Sequence, residues 1–239
     1  MEEVGKLVKD EGGFIWVVRD DSENEDVMQD NVGADIEHER KFLDFIKRES
    51  SDFKVFIDIG AHVGYFSIRL AHLFREVHAF EPSIYNRQGL FANTSLNGIA
   101  NILISDFAIG RYERKVTLME RGSVSCIDPK YDVPILADTI KKTYDVNMIP
   151  LSSVYPKGIS EPVIIKIDTE GAEIDIIEGS SEMFSKTQSL LVVEHHECMV
   201  KGNKEKVSEI LKRLGHTQIH EGDHKVIFTN IDKCKKIIF

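Results

Sequence analysis

Seven residues, Asp58-Ile59-Gly60-Ala61-His62-Val63-Gly64, join a short apolar run to an amphipathic one and carry the strongest chemical signal in the chain. Glycines at positions 60 and 64 permit a tight turn and let a ligand approach the backbone closely. A dinucleotide fold would show Gly-x-Gly-x-x-Gly here, with a bare helix N-terminus to hold a pyrophosphate. This chain instead ends the run on a carboxylate, Asp58. An anion at that point attracts a cofactor bearing an ammonium and a sulfonium, and repels a diphosphate. Glu81 ends the next apolar run about twenty residues on, where an acidic side chain can accept hydrogen bonds from both hydroxyls of a ribose. These residues point to S-adenosyl-L-methionine, held by Asp58, Gly60, Ala61, His62, Gly64 and Glu81. Asp106 is expected at the adenine amine, with Phe107 packed beside the ring.

Methyl transfer is a displacement at carbon, so positioning can supply much of the acceleration. A hydroxyl acceptor also needs help in losing its proton. Asp168, Glu170 and Glu173 cluster after a later strand, and Asp168 is expected to be the base or the acid that orients the acceptor. Glu170 and Glu173 share a face if a helix begins there; acids in a first helical turn also complement the helix dipole. Glu194, His195 and His196 end the following strand. Neighbours on a strand point to opposite faces, so at most one of these histidines faces the cleft. His195 is expected there, as a base that titrates near neutral pH. Asp168, Glu194 and a histidine offer ligands for a divalent cation, but no compact metal motif is present and no metal is expected. His216, His220 and His224 are expected at the surface.

Short β-branched runs alternate with helical patterns from Val55 onward, the mark of βαβ units. Strands are expected at Val55–Ile59, Val77–Phe80, Asn101–Ser105, Val163–Ile167 and Leu190–Glu194. Helices are expected at Tyr65–Phe74, Tyr85–Leu96, Ile174–Phe184 and Lys204–Leu214, and His216–Ile231 reads as two strands with a turn at Glu221-Gly222-Asp223. The fold class is therefore α/β: a Rossmann-like, doubly wound, mostly parallel seven-stranded sheet with an antiparallel C-terminal hairpin. Residues 1–54 offer a strand at Phe14–Val18, an acidic loop at Asp20–Asp26 and a helix near Glu37–Lys47, read as a cover on a single cofactor-binding domain spanning residues 55–239. An insertion at 111–162 holds five of the six prolines and four of the six tyrosines. Long connections are commonly functional, so this one is a candidate substrate lid, with a structural hairpin and helix as the alternative.

A net charge of -10 disfavours nucleic acid as a partner. No apolar run reaches the roughly 20 residues that span a bilayer, and the first residues are too polar for a signal peptide. Three scattered cysteines, Cys126, Cys198 and Cys234, suit free thiols in a reducing, cytoplasmic setting. A small hydroxylated acceptor fits this surface; the oligomeric state is not legible.

Three blocks resemble FkbM-type methyltransferases: Phe56 to Ser67, His78-Ala79-Phe80-Glu81-Pro82, and Ile165-Lys166-Ile167-Asp168-Thr169-Glu170-Gly171-Ala172-Glu173. The third block is the most specific, because the general methyltransferase fold does not require it. The resemblance runs from about Val55 to Glu194 and implies a Rossmann-like S-adenosylmethionine fold, with Asp58, Gly60, Gly64 and Glu81 in cofactor roles. It also implies methylation of a hydroxyl oxygen on a sugar or small natural product. A Leu-Asp pair usual in that family before the fourth strand reads Pro150-Leu151-Ser152-Ser153 here. Two rival readings are an NAD-dependent oxidoreductase on a similar sheet and a methyltransferase-like binding module without catalysis.

Overall fold

A computed structural model describes residues 6–18, 37–120, 125–127, 142–222 and 224–236. The expected acidic loop at Asp20–Asp26 and Asp223 of the expected C-terminal turn lie outside the described residues. Thirteen strands run along the described chain. They are β1 (Lys6–Lys9), β2 (Ile15–Val18), β3 (Val55–Ile59), β4 (Glu76–Phe80), β5 (Ile102–Ser105), β6 (Ala108–Ile109) and β7 (Arg114–Glu120). The remainder are β8 (Cys126–Ile127), β9 (Lys142–Ile149), β10 (Val163–Ile167), β11 (Ser189–Glu194), β12 (Thr217–Glu221) and β13 (Lys225–Thr229). The α-helices are α1 (Glu37–Glu49), α2 (Tyr65–Leu70), α3 (Ile84–Leu96), α4 (Leu151–Val154), α5 (Glu173–Gly179), α6 (Ser181–Lys186) and α7 (Asn203–Arg213).

The main sheet has seven strands in the order β12-β13-β11-β10-β3-β4-β5. Pairs from β5 through β11 are parallel, whereas β13 runs antiparallel to both β11 and β12. The chain leaves β3 toward β4 and β5, then returns to place β10 on the other side of β3. That reversal opens a crevice at the carboxyl ends of β3 and β10, where open α/β sheets bind ligands. The inner strands are buried on both faces, which explains their unbroken apolar runs. Alternate residues sort to two cores. Phe56, Val77, Ile164, Val192 and Ile227 pack with Phe42, Phe45 and Ile46 of α1 and Phe66 of α2. Ile57, Ile59, Ile165, Ile167, Leu191 and Phe228 pack with Ile176, Phe184, Val207 and Leu211 from α5, α6 and α7.

One expected helix is two. The pattern over Ile174–Phe184 breaks at Ser180, between α5 and α6. Gly179 ends α5 against the backbone leading into β7; a Cβ there would lie 2.5 Å from the Arg111 Cα and 2.6 Å from the Gly110 carbonyl oxygen. The insertion supplies three strands of a second sheet, which β6 from just before it completes in the order β6-β9-β7-β8. It is fastened beside β4 by Glu120, whose carboxylate accepts hydrogen bonds from the Ser83 and Tyr144 hydroxyls.

The β1–β2 hairpin docks on α3 through two asparagine amides, a contact that hydrophobic patterning does not register. Asn97 accepts from the Ile15 N–H at 2.9 Å and donates to the Ile15 carbonyl at 2.7 Å, as a neighbouring strand would. Asn93 accepts from the Val17 N–H and donates to the Val63 carbonyl, tying the hairpin to the loop before α2. Asn97→Ala strands both Ile15 groups and is expected to cost about 1–3 kcal/mol. Thermal unfolding should show Tm falling by roughly 2–4 °C per kcal/mol, with earlier proteolytic cleavage in the hairpin; an unchanged Tm would refute the docking role.

Candidate active site

The crevice contains a cavity of about 310 Å³. Its wall includes Asp58, Gly60, Ala61 and His62 after β3, Glu81 after β4, and Asp168, Thr169 and Glu170 after β10, with Phe107 and Glu194 nearby. Among the described residues, six carboxylates (Glu39, Asp58, Glu81, Asp168, Glu170 and Glu194) and one lysine, Lys166, face it.

Asp58 and Lys166 are the lone charges in two buried strands and are direct cross-strand partners. Lys166 Nζ lies 3.0 Å from Asp168 Oδ2 and 3.5 Å from Asp58 Oδ1, with its charge 5.0 Å from the centre of the Phe66 ring. Burial disfavours the ammonium, but Asp168 and Asp58 hold it above the ordinary lysine range. Burial raises Asp58, against the pull of Lys166 and a 2.7 Å hydrogen bond from the Ser67 hydroxyl. Burial also opposes ionisation of Asp168, yet Lys166, Lys225 and His196 hold it well below the usual carboxylate range.

Gly60 turns the chain away from β3 with φ of 80°. A Cβ at that position would lie 1.8 Å from the Asp168 carbonyl oxygen, so only glycine lets the two loops meet. Its N–H and that of Ala61 both donate to the Phe80 carbonyl, and the Asp168 N–H donates to the Ile59 carbonyl. His62 has φ of 51° and directs its own N–H, rather than its ring, at Glu81 Oε2 at 2.8 Å. The His62 ring is pushed down to about 4 by burial and stays neutral. Gly64 precedes α2 in the left-handed region. Glu81 takes a second backbone N–H, from Ser83 at 2.9 Å, and burial lifts it to about 7 despite both bonds.

The acids after β10 divide by position. Glu170 has φ of 55° and lies before α5, so it and Glu173 do not share a helical face. Burial, reinforced by the neighbouring Asp168, lifts Glu170 to about 7, although His196 pulls the other way. Burial likewise lifts Glu194 to about 7, with Asp168 adding to it and Lys225 opposing. Glu173 faces neither the cavity nor solvent. Its Oε1 accepts from the Thr169 and Gly171 N–H groups and meets His196 Nδ1 at 2.9 Å, while Oε2 accepts from Asn203 at 2.9 Å. A carboxylate so engaged braces the loop, and its full burial outside both cavity walls keeps it from an acceptor.

Three other placements differ from the sequence expectation. His196, not His195, turns toward the acids: its Nε2 lies 3.6 Å from Asp168 Oδ1 and 3.5 Å from Glu170 Oε2. Strand alternation sends His195 to the other side, where its ring packs near His224 and both its nitrogens are buried without a hydrogen-bond partner. Asp106 is exposed and outside the cavity wall, although Phe107 lines it. His216 is 2% exposed and its Nε2 meets the Ser189 hydroxyl at 2.9 Å, so it belongs to the core rather than the surface. A second cavity of about 220 Å³ adjoins the first, shares Ile127, Thr169, Glu170 and Ala172 with it, and extends over Met148, Met199 and Val200.

A family model for the methyltransferase FkbM domain matches residues 58–224. The chain belongs to the FkbM methyltransferase family. A solved FkbM methyltransferase from Methylobacillus flagellatus KT superimposes with a TM-score of 0.50 at 18% identity, over 74% of this chain and 44% of that one. The chain therefore spans less than half the length of that protein. An rRNA methylase from Streptococcus thermophilus (TM-score 0.46, 13% identity, 79% of this chain and 93% of that one) resembles it more loosely. So does TYW2 of M. jannaschii in complex with AdoMet (TM-score 0.46, 17% identity, 97% and 89%). No curated protein matches. Where the family usually carries Leu-Asp, Ser152 of this FkbM domain donates its hydroxyl to the Gly179 carbonyl at 3.2 Å, and its N–H meets the Ser180 hydroxyl.

Sequence reasoning passed over Lys166 and Lys225 and placed His195 where His196 stands. A signal for Lys166 was present: one acid and one base each occupy the fourth place of a five-residue apolar strand. Lys166→Met leaves Asp58 buried without its counter-charge and is expected to destabilise the FkbM domain by about 3–5 kcal/mol. Adding Asp58→Asn should restore part of that loss in a double-mutant cycle followed by denaturant unfolding; strict additivity would show that the pair does not interact.

Proposed function

We propose that this FkbM domain binds S-adenosyl-L-methionine between β3, β4 and β10 and transfers its methyl group to a hydroxyl of a small acceptor. One observation carries the reading: among the described residues, six carboxylates and one lysine line the crevice, which favours a cationic sulfonium donor and disfavours the diphosphate of NAD. The residues fit the donor locally as well. Asp58 Oδ1 is buried without a hydrogen-bond partner and can receive a cationic group. Glu81 Oε2 takes one N–H, from His62, and has a lone pair left for a ribose hydroxyl, while Oε1 is held by the Ser83 N–H and, at 3.4 Å, by the Asn86 amide. When bound, the cofactor supplies an electrophilic methyl group.

The second cavity is the place for the acceptor, because Thr169 and Glu170 belong to both walls. Glu170 at that junction takes the proton from the acceptor hydroxyl, and Asp168, fixed by Lys166, orients it. Glu173 and His195 have no direct part, the first because it is buried outside both cavity walls and the second because it faces away. A charge of -10 favours a small acceptor over a nucleic acid, and the second cavity offers such an acceptor an apolar stretch at Met148, Met199 and Val200 beside Arg111, Arg114 and Lys206.

Calorimetry with S-adenosylhomocysteine and with NAD tests the donor: binding of the first and not the second is expected, and the reverse would overturn the reading. Burial sets Glu81 in the folded chain above its ordinary value near 4.5, at about 7. Its protonated form is therefore favoured by folding, and stability drawn from it declines as pH rises from about 4.5 to about 7. Ribose binding prefers the anion. S-adenosylhomocysteine affinity should thus climb between pH 6 and 7, by up to roughly tenfold per unit, then level off, and Glu81→Gln should flatten the profile. In assays of labelled-methyl transfer to hydroxylated acceptors, Glu170→Gln is expected to lower kcat about 10²–10⁴-fold with cofactor affinity unchanged; full activity would remove Glu170 from the mechanism.

A further inference from the structure

We infer that Asp168, Glu194 and His196 form a binding site for one divalent first-row transition-metal ion at the end of β10 and β11. Each of the three offers a ligand atom, and these atoms lie within 4.8 Å of one another, close enough to share one ion at ordinary metal–ligand bond lengths of about 2.0–2.2 Å. The three belong to adjacent parallel strands and the loops that end them, so the sheet sets their separation.

A second observation is independent of the carboxylates. His196 has a side chain 10% exposed, and its Nε2 is aimed at the cluster without a hydrogen bond to any described residue. Its other nitrogen is engaged by Glu173, itself fully buried and held by backbone N–H groups and Asn203. A carboxylate that fixes one imidazole nitrogen and aims the other at a common point is the usual support for a metal-binding histidine. Lys166 and Lys225 do not occupy the site: each ammonium sits on one carboxylate oxygen, Asp168 Oδ2 or Glu194 Oε2, and leaves the other oxygen for an ion. An imidazole beside two carboxylates selects Mn²⁺, Fe²⁺, Co²⁺ or Zn²⁺ over Ca²⁺ or Mg²⁺. The ion takes the place of a proton on His196 Nε2, and that proton passes to solvent. Asp168 and Glu194 both line the first cavity, so an ion held there would be reached from the crevice. Metal binding is read without cofactor or acceptor, so its failure leaves the methyl-transfer reading standing, and the reverse also holds.

The test is titration of the full chain with Mn²⁺, followed by electron paramagnetic resonance. One ion per chain is expected with Kd below about 1 mM, with a nitrogen coupling from a coordinated imidazole. His196→Gln should remove that coupling and weaken binding at least about tenfold, while His195→Gln leaves both unchanged. Glu194→Gln serves if His196→Gln does not fold: it should weaken binding and retain the nitrogen coupling. Absence of saturable binding, or a nitrogen coupling that survives His196→Gln and vanishes in His195→Gln, would overturn the site.

Discussion

The Lys166 ammonium, closed in the sheet between Asp58 and Asp168, is the interaction on which the rest of this structure depends. Removing three charged groups from water is costly, and such clusters are weak sources of net stability. Their effect here is geometric. Because Lys166 and Asp58 are register partners on β10 and β3, a slip of either strand by one residue would put a bare charge into the opposite, wholly apolar core. Gly60 adds a steric lock, since its backbone passes so close to the Asp168 carbonyl that a methyl group does not fit. Charge pairing and close approach therefore define the mouth of the crevice together.

The same charges continue across the sheet. Lys225 on β13 binds Glu194 on β11 and Glu39 on α1, so the helix that covers the apolar core also closes the polar row above it. Fixed cations within the acidic wall keep Asp168 ionised without a ligand, while burial leaves Glu81, Glu170 and Glu194 near neutrality. A site built this way can receive a cation without reorganising its carboxylates. The inserted sheet flanks the crevice: its Glu120 grips the turn after Glu81, its Leu118 and Ile127 line the cavity, and the connection into β7 lies against Gly179.

What the amino-acid order determined by itself was whatever depends on near neighbours along the chain. Short unbroken apolar runs specified the buried strands, helical spacing specified the covering helices, and the Gly60 and Gly64 turn with Asp58 and Glu81 marked the crevice, because each is a local pattern. Local patterning also carried the division of the C-terminal segment into two strands, which the main sheet completes. Only the tertiary structure decided which side chains meet. Strand alternation allowed one of two histidines at the cleft, and the choice of His196 followed from where β11 ends against Glu173, a residue 23 positions away. Glu173 lost its place among the acids of the cleft and Asp106 its place at the cofactor because burial and partners come from distant segments. The break of one helix into two and the docking of the first hairpin by Asn93 and Asn97 arise from contacts with remote backbone, and such contacts leave no periodic trace in the sequence.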